Sequence, residues 1–437
     1  MTTKKDFLKK FSIYAVGNIS SKLIMFLLYP IMTFYLLPEE LGKFDVVLTI
    51  VMWLGALAML NMRDGAFRFV MTDNEKVFRR VLNLFIKILL YNIVIFGIGA
   101  TVVYMMGVDL YFNPYLIALF FLSFNFFEVY QQIVRGRGKT KLYVIANIIS
   151  AFLIAGIAIT LLKTTNLKAN SLIIAYTVSK LLAALYVEVV YPILFKKREK
   201  FDDKDIDDNY SVKQILYYSL FLLPANLAIM GINNWGKLFF LYFDFDHILG
   251  IYAIVVKFSN IFLVITTIYQ QTWQECAIRD YNTTNRSQYF SKYFNNYLLF
   301  LSLLVASITI GIGIFYKILI APEYYESLPY IPFQLLTVVF LALSFFLNLA
   351  YECSFEAKRA IYSAVLATIV SFILNMIFIP LFGIKGAIVA NIISSSTMFI
   401  YRLIDVRRYF ILKLDKKGWL SILIFIMLFL SVILYNL

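Results

Sequence analysis

The chain has 437 residues, of which 61% are apolar, 18% aromatic and only 15% charged. Soluble domains carry roughly 25% charged residues, so this composition excludes an ordinary soluble fold. Two cysteines and one histidine suggest neither a disulfide framework nor a metal site, and the net charge of +14 has to be judged by where it falls.

Apolar runs of about 20 residues recur along the chain, each long enough to cross about 30 Å of hydrocarbon as a helix. They lack the alternation of a barrel strand, so the expected fold class is an all-α polytopic membrane protein. In chain order the spacing predicts helix 1 over 11–37, helix 2 over 44–62, helix 3 over 81–106, helix 4 over 114–134, helix 5 over 142–162 and helix 6 over 171–195. Residues 196–213 then hold six Lys/Arg and six Asp/Glu with no apolar face, a stretch that has to stay in water. Beyond it come helix 7 over 214–241, helix 8 over 249–273, helix 9 over 295–320, helix 10 over 330–351, helix 11 over 361–381 and helix 12 over 385–401. A basic loop from Arg402 leads into a thirteenth apolar run over 418–437.

This reading gives an N-terminal lobe over 1–195, a cytosolic linker over 196–213, a C-terminal lobe over 214–401 and a basic loop with helix 13 over 402–437. Lys and Arg crowd the loops assigned inward, whereas the outward loops carry Glu39, Glu40, Asp109, Asp244, Asp246, Glu323 and Glu326. That asymmetry is the positive-inside pattern. It places the N-terminus in the cytosol, and it accounts for the positive charge through contact with anionic lipid rather than nucleic acid. Leu41-Gly42-Lys43-Phe44 aligns with Leu249-Gly250-Ile251-Tyr252, and Lys139-Thr140-Lys141-Leu142-Tyr143 with Lys358-Arg359-Ala360-Ile361-Tyr362. Two six-helix halves with the same orientation form a parallel repeat, as in transporters with rocking lobes.

Leu374-Asn375 followed by an apolar run, Pro380, and Phe382-Gly383-Ile384-Lys385-Gly386-Ala387 resembles the polysaccharide-synthesis flippases of the multidrug/oligosaccharidyl-lipid/polysaccharide exporter superfamily. The opening Gly17-Asn18-Ile19-Ser20-Ser21-Lys22, then Pro30-Ile31-Met32-Thr33 and Leu37-Pro38-Glu39-Glu40-Leu41-Gly42, is similar to that family too, as are Arg135-Gly136 and Ala321-Pro322-Glu323-Tyr324. The resemblance implies a translocase for O-antigen or exopolysaccharide repeat units, turning polyprenyl-diphosphate-linked oligosaccharide from the cytosolic to the outer leaflet. It implies no enzyme activity and no cofactor beyond a coupling ion, H+ or Na+. Membrane lipids and the glycosyltransferases or polymerase of the same pathway are the implied partners. Two departures stand out: an odd count of thirteen helices, and Asn233-Asn234-Trp235-Gly236-Lys237 where many relatives carry an Asp-Arg pair.

Among the lysines inside predicted spans, Lys22, Lys180 and Lys257 lie deepest, with Lys237 near an outer end. A lysine at the bilayer centre costs on the order of 3 kcal/mol unless it meets water or a partner, so these four are the candidate cavity residues. Compact ammonium charges suit a diphosphate, with Asn18 and Asn234 placed to meet sugar hydroxyls. The alternative is that the lysines form structural ion pairs with the intramembrane acids Glu128 and Glu188. Pro30 and Pro224 sit in the first helix of each half and permit hinges. A cation-coupled multidrug exporter of the same superfamily is the nearest rival function; a membrane-embedded polymerase or glycosyltransferase would need catalytic groups on larger loops.

Overall fold

The structure is a computed structural model that describes residues 20–72, 74–107, 111–194, 211–280, 285–354 and 356–436. The described residues form thirteen α-helices and two 3-10 segments, without a strand. Ten helices among them are long and apolar enough to cross a membrane, so the protein is an all-α polytopic membrane protein. By packing, the chain divides into two compact units. One is drawn from Met1–Leu36 with Lys43–Leu227, the other from Leu37–Gly42 with Ala228–Leu437. Asn18 and most of the charged stretch, over 196–210, lie outside the described residues.

The first unit holds α1 (Ser20–Thr33), most of α2 (Pro38–Ala58), α3 (Met62–Val70), α4 (Glu75–Met105), α5 (Pro114–Gly136), α6 (Thr140–Thr164), α7 (Asn170–Val190) and the opening half of α8 (Val212–Tyr242). Its helix starts follow from local sequence. Asn74 accepts from the amides of Lys76 and Val77, and Asn113 from those of Tyr115 and Leu116 with Pro114 opening the helix, which satisfies donors that a first turn leaves free. The core runs through Val81, Phe85, Phe127, Tyr130, Ile133, Ala183, Val187 and Ile215.

The second unit takes the first turn of α2 and the rest of α8, followed by α9 (Asp246–Asp280), α10 (Arg286–Leu319), a 3-10 segment Pro322–Tyr330, α11 (Ile331–Cys353), α12 (Ala357–Asp405), a 3-10 turn Val406–Arg408 and α13 (Lys416–Asn436). Its core is aromatic: Trp273 stacks on Phe346 at 4.9 Å, and Phe290 on Phe410 at 4.2 Å. The repeat-related glycines meet here. A Cβ on Gly42 would lie 2.7 Å from the Gly250 amide nitrogen, and one on Gly250 would overlap the Pro38 carbonyl, so this crossing of α2 and α9 admits only glycine.

Four features differ from the sequence expectation. Pro38–Gly42, expected as an outer loop, is the first turn of α2, with Pro at its start and Glu39 and Glu40 placed where a helix N-terminus favours acids. The loop expected after helix 2 contains α3, and α4 begins at Glu75 instead of 81. α9 and α10 extend past their apolar spans, to Asp280 and from Arg286, because polar residues continue a helix once water can solvate them. The predicted helices 11 and 12 are both present in α12, which turns at Gly383 with φ +56°. A Cβ on Gly386 would overlap the Phe378 carbonyl, so the two motif glycines have distinct jobs: one supplies the left-handed backbone, the other lets the returning helix close on the one before.

Candidate functional site

The site grows from α5 and α7 of the first unit. Lys180 on α7 is buried, with Nζ 3.3 Å from Glu128 Oε1 on α5 and over the rings of Phe124 (5.0 Å) and Phe127 (4.6 Å). These aromatic faces add a favourable quadrupole to the ion pair. Arg63, on α3, brings Nη1 to 3.8 Å from Glu128 Oε2 while its side chain stays 57% exposed. One carboxylate thus faces two cations. Gln131, one turn along α5, also bonds Glu128, and its Oε1 accepts from Asn147 of α6 at 2.6 Å.

Glu188 belongs to a different arrangement. Its carboxylate accepts from the amides of Ile193 and Leu194 at 2.9–3.1 Å and from the Tyr130 hydroxyl, closing the end of α7 on itself. Glu188 is not the acid that Lys180 meets. Lys180 and Glu188 are eight residues apart on one helix, a rise of about 12 Å, and only Glu128 meets the lysine.

Arg63 reaches Glu128 because α3 is clamped between α5 and α8. Leu60 and Asn61 both have positive φ, which turns the chain between α2 and α3. Asn61 Nδ2 donates to the Ser219 carbonyl at 3.0 Å and to Asp64 at 3.2 Å, and Asn226 Nδ2 donates to Asp64 Oδ2 at 2.7 Å. Gly65 lies directly on Ser219 Oγ, leaving no room for a Cβ. On the opposite side Arg135 covers the Phe67 ring at 4.4 Å. The polar chain from Lys180 through Glu128 and α3 thus ends beside Pro224, inside α8.

The remaining expected residues are spread out. Lys22 is exposed on α1 of the first unit. Lys237 is buried on α8 and Lys257 half-buried on α9, both in the second unit. Asn234 spends its Nδ2 on the Met230 carbonyl of its own helix at 2.8 Å. Pro30 is buried in α1, and the Thr33 hydroxyl donates to its carbonyl at 2.6 Å.

Sequence reasoning missed three residues. Arg63 looked like one more loop base, and its charge pattern carried no sign of α3. Asp45 is a third acid within a span, buried in α2 beside Tyr29, whose hydroxyl bonds Tyr176; its place one residue inside helix 2 was the available signal. Arg402, expected in the basic loop, is buried at 1% exposure and donates to Ser363 Oγ (2.8 Å) and to the carbonyls of Ser344 (2.8 Å) and Ala360 (3.3 Å). It ties both ends of α12 to α11.

Comparison with known proteins gives a family and a fold. The family model described as "Polysaccharide biosynthesis protein" matches residues 7–274, more than half of the chain. No curated protein matches the sequence. Among solved structures, the lipid II flippase MurJ in an inward closed conformation is similar with a TM-score of 0.63 at 15% identity, covering 97% of this chain and 99% of its own. An inward-facing multidrug resistance MATE family transporter of the MOP superfamily is similar with a TM-score of 0.62 at 13% identity, over 90% of this chain and 98% of its own. A MOP superfamily transporter from Pyrococcus furiosus, noted for a binding pocket of reverse polarity, gives 0.55 at 13%, over 92% and 96%. The two-unit, all-helical chain with its Phe-Gly-x-x-Gly-Ala turn belongs to the polysaccharide biosynthesis protein family and is built on the fold of MOP-superfamily membrane transporters.

Proposed function

We propose that this protein flips polyprenyl-diphosphate-linked oligosaccharide repeat units from the cytosolic to the outer leaflet of a bacterial cytoplasmic membrane, by alternating access of two lobes. The observation that carries this reading is the pairing of two cations, Lys180 and Arg63, with the single carboxylate of Glu128. Glu188 accepts from the amides of Ile193 and Leu194 and from the Tyr130 hydroxyl, away from this pair of cations. Arg63 is held at a longer distance and largely exposed, which leaves its guanidinium available to a phosphate with its planar donor fork. Lys180, which shares the same carboxylate, is the second base of that phosphate site. Lys22 on α1 adds a further base in the same unit. The similar MurJ is a flippase of lipid II, and the family is described by polysaccharide biosynthesis.

A second reading, a cation-coupled exporter, draws on Asp45, the buried acid of α2. The two readings separate in one experiment. Removal of the gene from its host should leave lipid-linked oligosaccharide trapped on the cytosolic leaflet and surface polysaccharide lost, with resistance to cationic drugs unchanged. Intact surface polysaccharide together with drug sensitivity would favour the exporter.

A further inference from the structure

The segment joining α12 to α13 is expected as a free basic loop, and the structure makes it a docked strap. Phe410 anchors it by stacking on Phe290 of α10. From Ile411 to Asp415 the chain runs extended along α10 against Ser287, Ser291 and Asn295. The amides of Ile411, Lys413 and Asp415 donate to Ser287 Oγ (3.1 Å), Ser291 Oγ (3.0 Å) and Asn295 Oδ1 (3.2 Å). The Ile411 and Lys413 carbonyls accept from Ser291 Oγ (3.4 Å) and Asn295 Nδ2 (2.9 Å). The register follows from geometry: four helical residues rise about 6 Å and two extended residues about 6.6 Å, so a ladder of side chains four apart meets every second strap residue. Asp415 then caps α13 through the amides of Lys417 and Gly418.

A loop in water needs no such ladder, because water satisfies its backbone. A segment lying in the boundary between headgroups and acyl chains does need one. The strap's outward side chains suit that place. Ile411 is 57% and Trp419 63% exposed, and Leu414 is exposed too. Between and beside them stand Arg407, Arg408, Lys413, Lys416 and Lys417, all exposed, with Lys292 exposed on α10. The two acids of the stretch are committed, Asp415 to the cap and Asp405 to Arg359 and Arg408. Apolar and indole side chains among bases of which only Arg408 meets an acid, on a backbone whose Ile411, Lys413 and Asp415 amides are already bonded, are the features of an interfacial anchor for anionic lipid.

We infer that residues 406–419 form a binding surface for anionic phospholipid of the adjoining leaflet, the bases holding headgroups while Ile411, Leu414 and Trp419 enter the acyl boundary. The surface is independent of the transport site proposed above. It is tested by quenching of Trp419 with brominated lipid, taken as the difference between the wild-type protein and Trp419→Phe in reconstituted vesicles. Brominated phosphatidylglycerol should quench this component at least threefold more efficiently than brominated phosphatidylcholine. Arg407→Gln with Lys413→Gln and Lys416→Gln should bring the ratio to one, and Lys413→Arg with Lys416→Arg should preserve it. Sodium phosphate should do no more than sodium chloride of equal ionic strength. A ratio of one in the wild-type protein would overturn the inference, and so would selective competition by free phosphate, which would make the strap a soluble-anion site.

Discussion

Lys180 Nζ stands 3.3 Å from Glu128 Oε1 across α7 and α5, whereas Glu188, two turns further along α7, folds back on the amides of Ile193 and Leu194. Glu128 and Glu188 therefore do different work, one electrostatic and one structural, and their variants should behave differently.

Glu188→Ala leaves two backbone amides without an acceptor, at about 1–3 kcal/mol each, and strands the Tyr130 hydroxyl. The purified protein should melt several degrees lower, with transport per folded molecule unchanged. A variant that kept its melting temperature but lost transport would place Glu188 in the transport site instead.

Arg402→Lys keeps the charge but gives up the guanidinium fork that reaches Ser363, Ser344 and Ala360 together. A lysine cannot serve three partners in that plane, and the loss should be about 2–4 kcal/mol, of the size found when a buried network is broken. Membrane abundance and transport should fall together. Unchanged abundance in a fusion-reporter assay would contradict a structural role for Arg402.

The motif glycines of α12 should separate as well. Gly383→Asn should cost about 1–3 kcal/mol and lower accumulation without abolishing it, because φ +56° with ψ −131° lies outside the left-handed helical well that asparagine accepts. Gly386→Ala forces a methyl into the Phe378 carbonyl and should abolish accumulation. Equal accumulation of both variants would show that the turn is not held by that close approach.

Much of this was legible in the sequence. Long apolar runs announced the spans, and Asn113-Pro114 fixed the start of α5 to the residue. What escaped was local and polar. α3 is nine residues with Arg63, Asp64 and Arg68 among them, too short and too charged for a span, and it is held by Asn61, Ser219 and Asn226, which come together only after α8 folds against it. The partner of Lys180 was equally hidden. Composition counts two acids against several bases, but only the rotation of α5 and α7 decides which acid faces the lysine. Arg402 was read as loop because arginine is rarely buried, and its three acceptors come from two helices distant in sequence.

The central claim is that positive charge around Glu128 binds the diphosphate of a lipid-linked oligosaccharide. Lys180→Ala alone should lower abundance by leaving Glu128 with only the longer Arg63 contact, and adding Glu128→Gln should restore it, because no charge is then left buried without its partner. The decisive measurement is the transbilayer movement of polyprenyl-diphosphate-linked oligosaccharide in proteoliposomes holding equal amounts of wild type and of the Lys180→Ala, Glu128→Gln double variant. The account predicts that the folded double variant moves the lipid at least tenfold more slowly, with Arg63→Ala slowing it as well. Movement at the wild-type rate by the double variant would reduce Lys180 and Glu128 to a structural ion pair and contradict the claim.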